Sequence, residues 1–352
     1  MSVLKTLKTS FYQSKGLGLF PIVARSGWRS RRLLILGYHG ISMQDEHESH
    51  PKNFLPLPTF EQRMAFLKDF GANVLDLGEG IRRLKTGSLP PRSVCITFDD
   101  GYADFYVNAY PVLRKYGFPA TVYLTTYYCF YNRPIFRLAL AYMMWKRRDH
   151  VIEDHPLQWM PPVLDLRTPE NRLLLLQRCD QYAKTHELTG SQKDDLAAEL
   201  ASAIHFDYAT LTRERLFHLM DPQEVAAVAS GGIDIQLHTH RHRTPLDRNL
   251  FVREITENRQ HVCELTGREE LTHFCYPSGA LREDFLPWLK EAGVESAATC
   301  VSGLGIAGGN PLLLPRLLDK PELTEDEFGA WLTGLGALMP KLKPPSLDVA
   351  PE

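Results

Sequence analysis

No stretch of this chain stays apolar for the ~18 residues that a membrane-spanning helix needs. The run Leu138-Ala139-Leu140-Ala141-Tyr142-Met143-Met144-Trp145 is too short. Cysteine is sparse, and Cys95, Cys129, Cys179, Cys263, Cys275 and Cys300 show no C-x-x-C spacing. Structural disulfides are therefore not expected, and a reducing compartment fits better. A charge excess is also missing: forty Lys and Arg stand against forty-two Asp and Glu, a net charge of −2. The chain as a whole thus lacks the electrostatic footprint of a nucleic-acid binder. With 352 residues, 44% hydrophobic and 23% charged, it is ordinary globular material, long enough for one domain of α/β-barrel size plus an insertion.

Local absences say more. Residues 1–44 hold no Asp or Glu but include Lys5, Lys8, Lys15, Arg25, Arg29, Arg31 and Arg32, while Val3, Leu4, Leu7 and Phe11 would share one helical face. A basic amphipathic segment of this kind suits an anionic membrane surface, and packing of the same helix on the domain is the competing expectation. The one apolar core before Trp28, Leu17 to Ala24, contains Gly18 and Pro21 and runs into Arg25 rather than a small-residue cleavage site. It is expected to remain uncleaved. Together these features predict a cytoplasmic protein with peripheral contact at the inner membrane face. No histidine follows His273, a gap that matters below.

Two short runs carry the chemistry. Thr97-Phe98-Asp99-Asp100-Gly101-Tyr102 closes the apolar, β-branched stretch Ser93 to Phe98, and His238-Thr239-His240-Arg241-His242 closes the alternating Ile233 to Leu237. Both stretches read as strands, so both runs sit at strand C-termini, where parallel α/β folds keep their active sites. They offer a hard carboxylate and two imidazoles to one divalent ion. Catalytic zinc takes about three such protein ligands and leaves a position for water, whose pKa falls to roughly 7. Adjacent residues point in different directions, so one Asp binds the ion and its neighbour serves as a base.

The order of elements predicts the architecture. Ala109 to Tyr116 reads as a short helix stopped by Gly117, and Ala120 to Leu124 as the next strand, a βαβ unit. From about residue 127 to 217 strand signals vanish, and Glu170 to His186 and Gln192 to Ile204 show helical periodicity. Alternation resumes with a helix from Pro222, the His-bearing strand, a helix from Leu250 to Thr266 stopped at Gly267, a strand ending at Tyr276-Pro277, a helix from Asp284 to Ala292 and a strand near Ser296 to Thr299. That pattern is a distorted (β/α) barrel of fewer than eight strands with a helical insertion. Domain limits of 33–335 follow, between a basic segment 1–32 and a proline-rich tail 336–352 expected to be disordered.

These motifs, with Gly37-Tyr38-His39-Gly40, Phe274-Cys275-Tyr276-Pro277-Ser278-Gly279 and Leu314-Pro315-Arg316, closely resemble the polysaccharide deacetylases of carbohydrate esterase family four, which share a NodB-type domain. The likeness is greatest to the poly-N-acetylglucosamine deacetylase branch and runs from about Leu33 to Leu318. It implies an α/β fold of the NodB barrel type, and Asp99 as general base with Asp100, His238 and His242 as the ligands of one divalent ion, most plausibly Zn2+. His240 is then a non-ligand, given to packing or support of the site. It further implies an N-acetylated glycan, polysaccharide or lipid-linked, as substrate and acetate as product.

The departures from the family pattern are informative. The Arg and Tyr usual in the third motif are replaced by Cys275 and Ser278. Arg316 is the candidate to orient Asp99 instead, and the Ser278 backbone N–H is the expected oxyanion donor. The usual C-terminal His is missing, and His39, which closes the strand-like Leu33 to Leu36, is the candidate acid for the leaving amine. Two other readings compete: another metal-dependent amidohydrolase, since His238-x-His240 resembles the H-x-H pair of that superfamily, and a carbohydrate-binding scaffold without activity. Tyr127, Tyr128, Phe130, Tyr131 and Trp145, early in the insertion, are candidate sugar-stacking faces that could equally pack a core.

Overall fold

The computed structural model describes Ser10 and residues 18–339. The amphipathic face expected from Val3 to Phe11, with its lysines, lies outside the described residues. Of the tail expected to be disordered over 336–352, residues up to Leu338 belong to the 3-10 turn Leu335–Leu338 with Gly336 buried, and the part beyond Met339 lies outside the described residues.

The fold is built on one curled sheet. Its central strand, β5 (Ser93–Asp100), is buried over its whole length, as a strand covered on both faces must be. β1 (Arg32–Tyr38) pairs parallel to it on one side, and on the other lies β6 (Thr121–Leu124). From β6 the sheet continues in parallel through β9 (Asp234–Leu237), β10 (His273–Cys275) and β11 (Ser296–Ala298). Beyond β1, β12 (Gly305–Ile306) adds an antiparallel edge. β4 (Asn73–Val74) pairs with β5, and β13 (Leu317–Leu318) with β1. Among the described residues nine strands make up this sheet, where fewer than eight were expected. The excess comes from β4, β12 and β13, each two residues long and too short to show periodicity.

Residues 314–318 finish the curl. Ala298 bridges Leu314 in parallel fashion, and three residues later β13 pairs with β1. One extended segment thereby links the last strand of the series to the first. Two smaller pairs lie apart from this sheet: β2 (Gly40–Ser42) with β3 (Phe54–Pro56), in parallel, and the antiparallel β7 (Val151–Ile152) with β8 (Leu164–Asp165).

The helices stop where the chain says they should. Gly117 and Gly267 take φ of 66° and 68° as left-handed caps of Tyr110–Tyr116 and Arg248–Thr266, a conformation that costs glycine nothing. Asp221 and Glu224 form a reciprocal capping box at the start of Pro222–Ser230. That helix is the crossover between β6 and β9, which are sheet neighbours although about a hundred residues apart. The remainder leaves the sheet and returns: helices Tyr127–Tyr131, Phe136–Lys146, Pro169–Thr185, Gly190–Ala203 and Ala209–Arg213, with β7 and β8 as a small pair inside a stretch expected to be wholly helical.

Arg29, counted above among the basic residues of the N-terminal segment, does not face solvent. It is fully buried and donates to the carbonyls of Leu332 (2.8 Å), Arg32 (2.7 Å) and Ser93 (3.1 Å). Burial, with help from the Arg32 charge, lowers its guanidinium to about 10, so it stays cationic at neutral pH. The segment leading into β1 is thereby tied to β5 and to helix Glu325–Thr333. Replacing Arg29 by Ala should strand three carbonyls and cost roughly 3 kcal/mol or more, read as a lower urea midpoint; an unchanged midpoint would contradict this anchoring role.

Candidate active site

Asp99 and Asp100 end β5 at the rim of the curled sheet, and the backbone turns sharply there. Asp100 has φ 69° and Gly101 φ 85°. A Cβ on Gly101 would lie 2.3 Å from Leu124 Cδ1, so only glycine fits. Left-handed backbone on other residues costs roughly 1–2 kcal/mol each. It recurs here at Thr239 (63°), His242 (54°) and Ser278 (54°). Four such residues around one space show a backbone bent to aim side chains.

Asp100 Oδ1 lies 3.1 Å from His238 Nε2 and 3.2 Å from His242 Nε2. One ligand atom from each residue falls within 4.8 Å of the others. The donor set suits a divalent ion. His238 Nδ1 is 2.8 Å from the Cys275 carbonyl, which can only accept, so Nδ1 carries a proton, and Nε2 would turn its lone pair to an ion held by the triad. Burial would raise the Asp100 carboxyl, but the charges and hydrogen bonds of His242 and His238 hold it well below the ordinary range. One carboxylate and two imidazoles match zinc and also accept related divalent ions.

Asp99 makes a different set of contacts. Arg316 grips it with two parallel bonds, Nη1 to Oδ1 and Nη2 to Oδ2, both 2.7 Å. The same guanidinium donates to Thr299 O (3.0 Å) and Thr97 Oγ1 (3.1 Å), and Nη2 meets Cys275 Sγ at 3.1 Å. Both ends of the pair are buried. Burial pushes the Asp99 carboxyl up, and the Arg316 charge and hydrogen bonds outweigh it, leaving the group at about 2. His39, at the end of β1, places Nε2 3.7 Å from Asp99 Oδ2.

The residues given a base, acid, positioning or ligand role from sequence therefore meet at one rim: Asp99 with Arg316 and His39, and Asp100 with His238 and His242. Ser278 is exposed on the wall of the space beside them. His240 turns away from the triad, with Nδ1 2.9 Å from Thr126 Oγ1 and its ring against Tyr127 and His261.

That space is a cavity of about 660 Å³, entered by Asp100, His242 and Ser278 on one side. His50 and Asn53, from the segment between β2 and β3, form another side. The insertion closes it with Tyr128, Ile135, Arg137, Leu138, Ala141 and Leu176. Of the five aromatic candidates only Tyr128 lines this cavity. Tyr127 and Tyr131 stack on each other at 5.4 Å, Phe130 packs on His261, and Trp145 packs on Tyr142 within the insertion.

Three residues escaped the reading of the sequence. Asn258, fully buried on helix Arg248–Thr266, accepts from the His238 N–H (2.9 Å) and donates to Leu124 O (2.9 Å), pinning the ends of β9 and β6 together. Glu254 on the same helix accepts from Arg241 N at 2.8 Å and shapes the His loop. Tyr102 lines the cavity; burial first, and then the Asp100 charge, push its phenol well up. A signal existed for the first two, since polar residues recurring on the apolar stripe of an amphipathic helix need buried partners.

The sequence model of the polysaccharide deacetylase family matches residues 86–205 and 196–297, a span that holds the Asp pair, the His run and Cys275 to Gly279. His39 and Arg316 lie outside it and join the site through the fold. The chain is 40% identical to the Bacillus subtilis protein YxkH over 94 residues, which is 26% of this chain and 32% of that protein. It is 45% identical to the poly-beta-1,6-N-acetyl-D-glucosamine N-deacetylase of Staphylococcus aureus (strain MSSA476) over 67 residues, 19% of this chain and 23% of that enzyme. The matches thus span a minor part of each relative. Two solved structures share the fold: the Streptococcus pyogenes deacetylase PplD (TM-score 0.56, 18% identity, 86% of this chain and 98% of that one) and IcaB from Ammonifex degensii (0.53, 17%, 87% and 97%).

The Asp99–Arg316 pair fixes a pH response. Its contribution to stability is complete above the ordinary aspartate value of 3.8 and is lost as pH falls through the folded value of about 2. Arg316→Gln removes the main opposition to burial, leaving only the smaller His39 and His238 charges, so the Asp99 carboxyl should rise and the acidic limb of kcat/KM should move to higher pH. The fold should lose roughly 3–5 kcal/mol, the cost of breaking a buried pair. An acidic limb that stays in place in a folded variant would show that Arg316 does not set the state of Asp99.

Proposed function

The chain belongs to the polysaccharide deacetylase family, and from that premise we propose that it is a metal-dependent hydrolase removing acetyl groups from N-acetylated sugars of a polysaccharide or a lipid-linked glycan. The observation that carries this reading is the pairing of a three-donor site, Asp100, His238 and His242, with a neighbouring carboxylate that Arg316 keeps ionised. An ion held by those three residues, zinc being the best match to the donors, would supply Lewis acidity for both the water and the amide carbonyl.

The protein groups divide the remaining work. Asp99 is ionised at neutral pH and takes a proton from the water as its oxygen bonds to the acetyl carbon. Arg316 holds both carboxylate oxygens, so the base keeps one orientation. His39 gives a proton to the sugar nitrogen as the carbon–nitrogen bond breaks, and the Ser278 backbone N–H receives the oxyanion. Acetate and a free amine leave. One proton gained by Asp99 and one given by His39 balance; the two groups stand 3.7 Å apart, beyond a direct hydrogen bond, so one bridging water would carry the proton back and restore the starting state.

Acetate release from N-acetylglucosamine oligomers, with zinc added and then chelated, tests the reading directly. Turnover should require the metal. Asp99→Asn should keep bound metal while losing roughly 10²–10⁴-fold in kcat, whereas Asp100→Ala should lose metal and turnover together. Metal-loaded protein that releases no acetate from any N-acetyl sugar would favour the amidohydrolase or binding-scaffold alternatives, and an active Asp99→Asn would remove Asp99 from the role of base.

A further inference from the structure

The space beside Asp100 does not end at the large cavity. A second one, of about 360 Å³, opens between Lys184 on helix Pro169–Thr185 and the segment Thr244 to Leu246. The two cavities share His242, Arg243 and Ser278, so they adjoin along those residues. A glycan with one acetamido group at the triad has room to extend past Arg243 toward Lys184.

Charge along that path has one sign. Asp100 is the only acid on either wall, and it is committed to His238 and His242. Arg137 is neutralised by Asp180, and Arg241 by Glu254 and Glu257. Lys184 and Arg243 differ: among the described residues neither has a carboxylate partner. Lys193 is a third cation nearby, its ammonium lowered by burial first and then by the Arg243 charge. Lys184 and Arg243, both exposed, thus border the second cavity without an ion pair among the described residues, with Lys193 within electrostatic reach of Arg243, and a neutral glycan would leave them without a counter-charge. An anion seated there would relieve the repulsion and be focused by the cavity walls. The fork of a guanidinium suits a phosphoryl or carboxylate group equally well.

We propose that the substrate carries an anionic group, phosphoryl or carboxylate, on or next to the N-acetylated sugar, and that Arg243 and Lys184 bind it. This specificity rests on the deacetylase reading of the triad. It makes the exit a selectivity element separate from the reacting groups.

The test uses full-length, zinc-loaded protein and three probes: N-acetylglucosamine 1-phosphate, a disaccharide of glucuronic acid and N-acetylglucosamine, and neutral di-N-acetylchitobiose. Acetate release and calorimetric binding are measured for each, for wild type and for the double variant Arg243→Gln, Lys184→Gln. At least one anionic probe should exceed the neutral one by about tenfold in kcat/KM and in affinity. Added salt should erode that advantage, and the double variant should bring the ratio close to one. Whichever anionic probe shows the effect identifies phosphoryl or carboxylate as the group recognised. Equal handling of all three probes by wild type would overturn the proposal, as would a preference that survives both substitutions. Binding of an anionic probe that depends on Arg243, with no acetate from any probe, would keep the anion site and reject the deacetylase reading.

Discussion

The buried contact between Arg316 and Asp99 is the constraint around which the rest of this structure is arranged. Two charges with almost no exposure cannot be left apart, because an unpaired charge in a protein interior costs far more than a surface ion pair returns. Arg316 sits two residues beyond Leu314, which bridges β11, and one residue before β13, which pairs with β1. The segment that closes the curl of the sheet therefore also delivers the cation to the carboxylate at the end of β5. Closing the sheet and orienting the proposed base are one structural event.

Around this pair the rim is held by a buried polar frame rather than by apolar packing alone. Asn258 ties β6 to the start of the His run, and the Cys275 carbonyl settles which nitrogen of His238 carries its proton. Thr97 and Thr299 take up two of the remaining Arg316 donors. Each partner is itself satisfied, which is what lets such a network orient side chains instead of destabilising the interior. Two of the residues with left-handed backbone are themselves held, Asp100 O accepting from Thr125 N (3.1 Å) and Thr239 Oγ1 from Arg243 N (3.1 Å).

The insertion changes what this rim can accept. Helices between β6 and β9 supply one wall of the cavity through Tyr128, Ile135, Leu138 and Leu176, and the flank of the second cavity through Lys184. The aromatic residues at its beginning mostly stack on one another or pack within the insertion, so selectivity at this site comes more from enclosure and charge than from a row of exposed rings. Helix Pro169–Thr185 presents Leu176 to the first space and Lys184 to the second, two turns apart on one face.

Sequence alone determined the chemistry close to each strand end. Asp99, Asp100, His238 and His242 are legible because they follow short apolar runs whose period and length mark buried strands, and because donor groups close in sequence need only local geometry. The helix stops at Gly117 and Gly267 are legible for the same reason, since a left-handed cap is a property of one residue. What tertiary structure alone decided is everything that depends on distant segments meeting. Asn258 lies inside a helix, Arg29 reads as one more cation of the basic segment, the two-residue strands carry no pattern at all, and Arg316, a candidate only beside the family resemblance, gets its contact with Asp99 from the fold. Their partners are tens to hundreds of residues away, and only the closure of the sheet, driven by burial of its apolar faces, sets those groups within hydrogen-bonding distance.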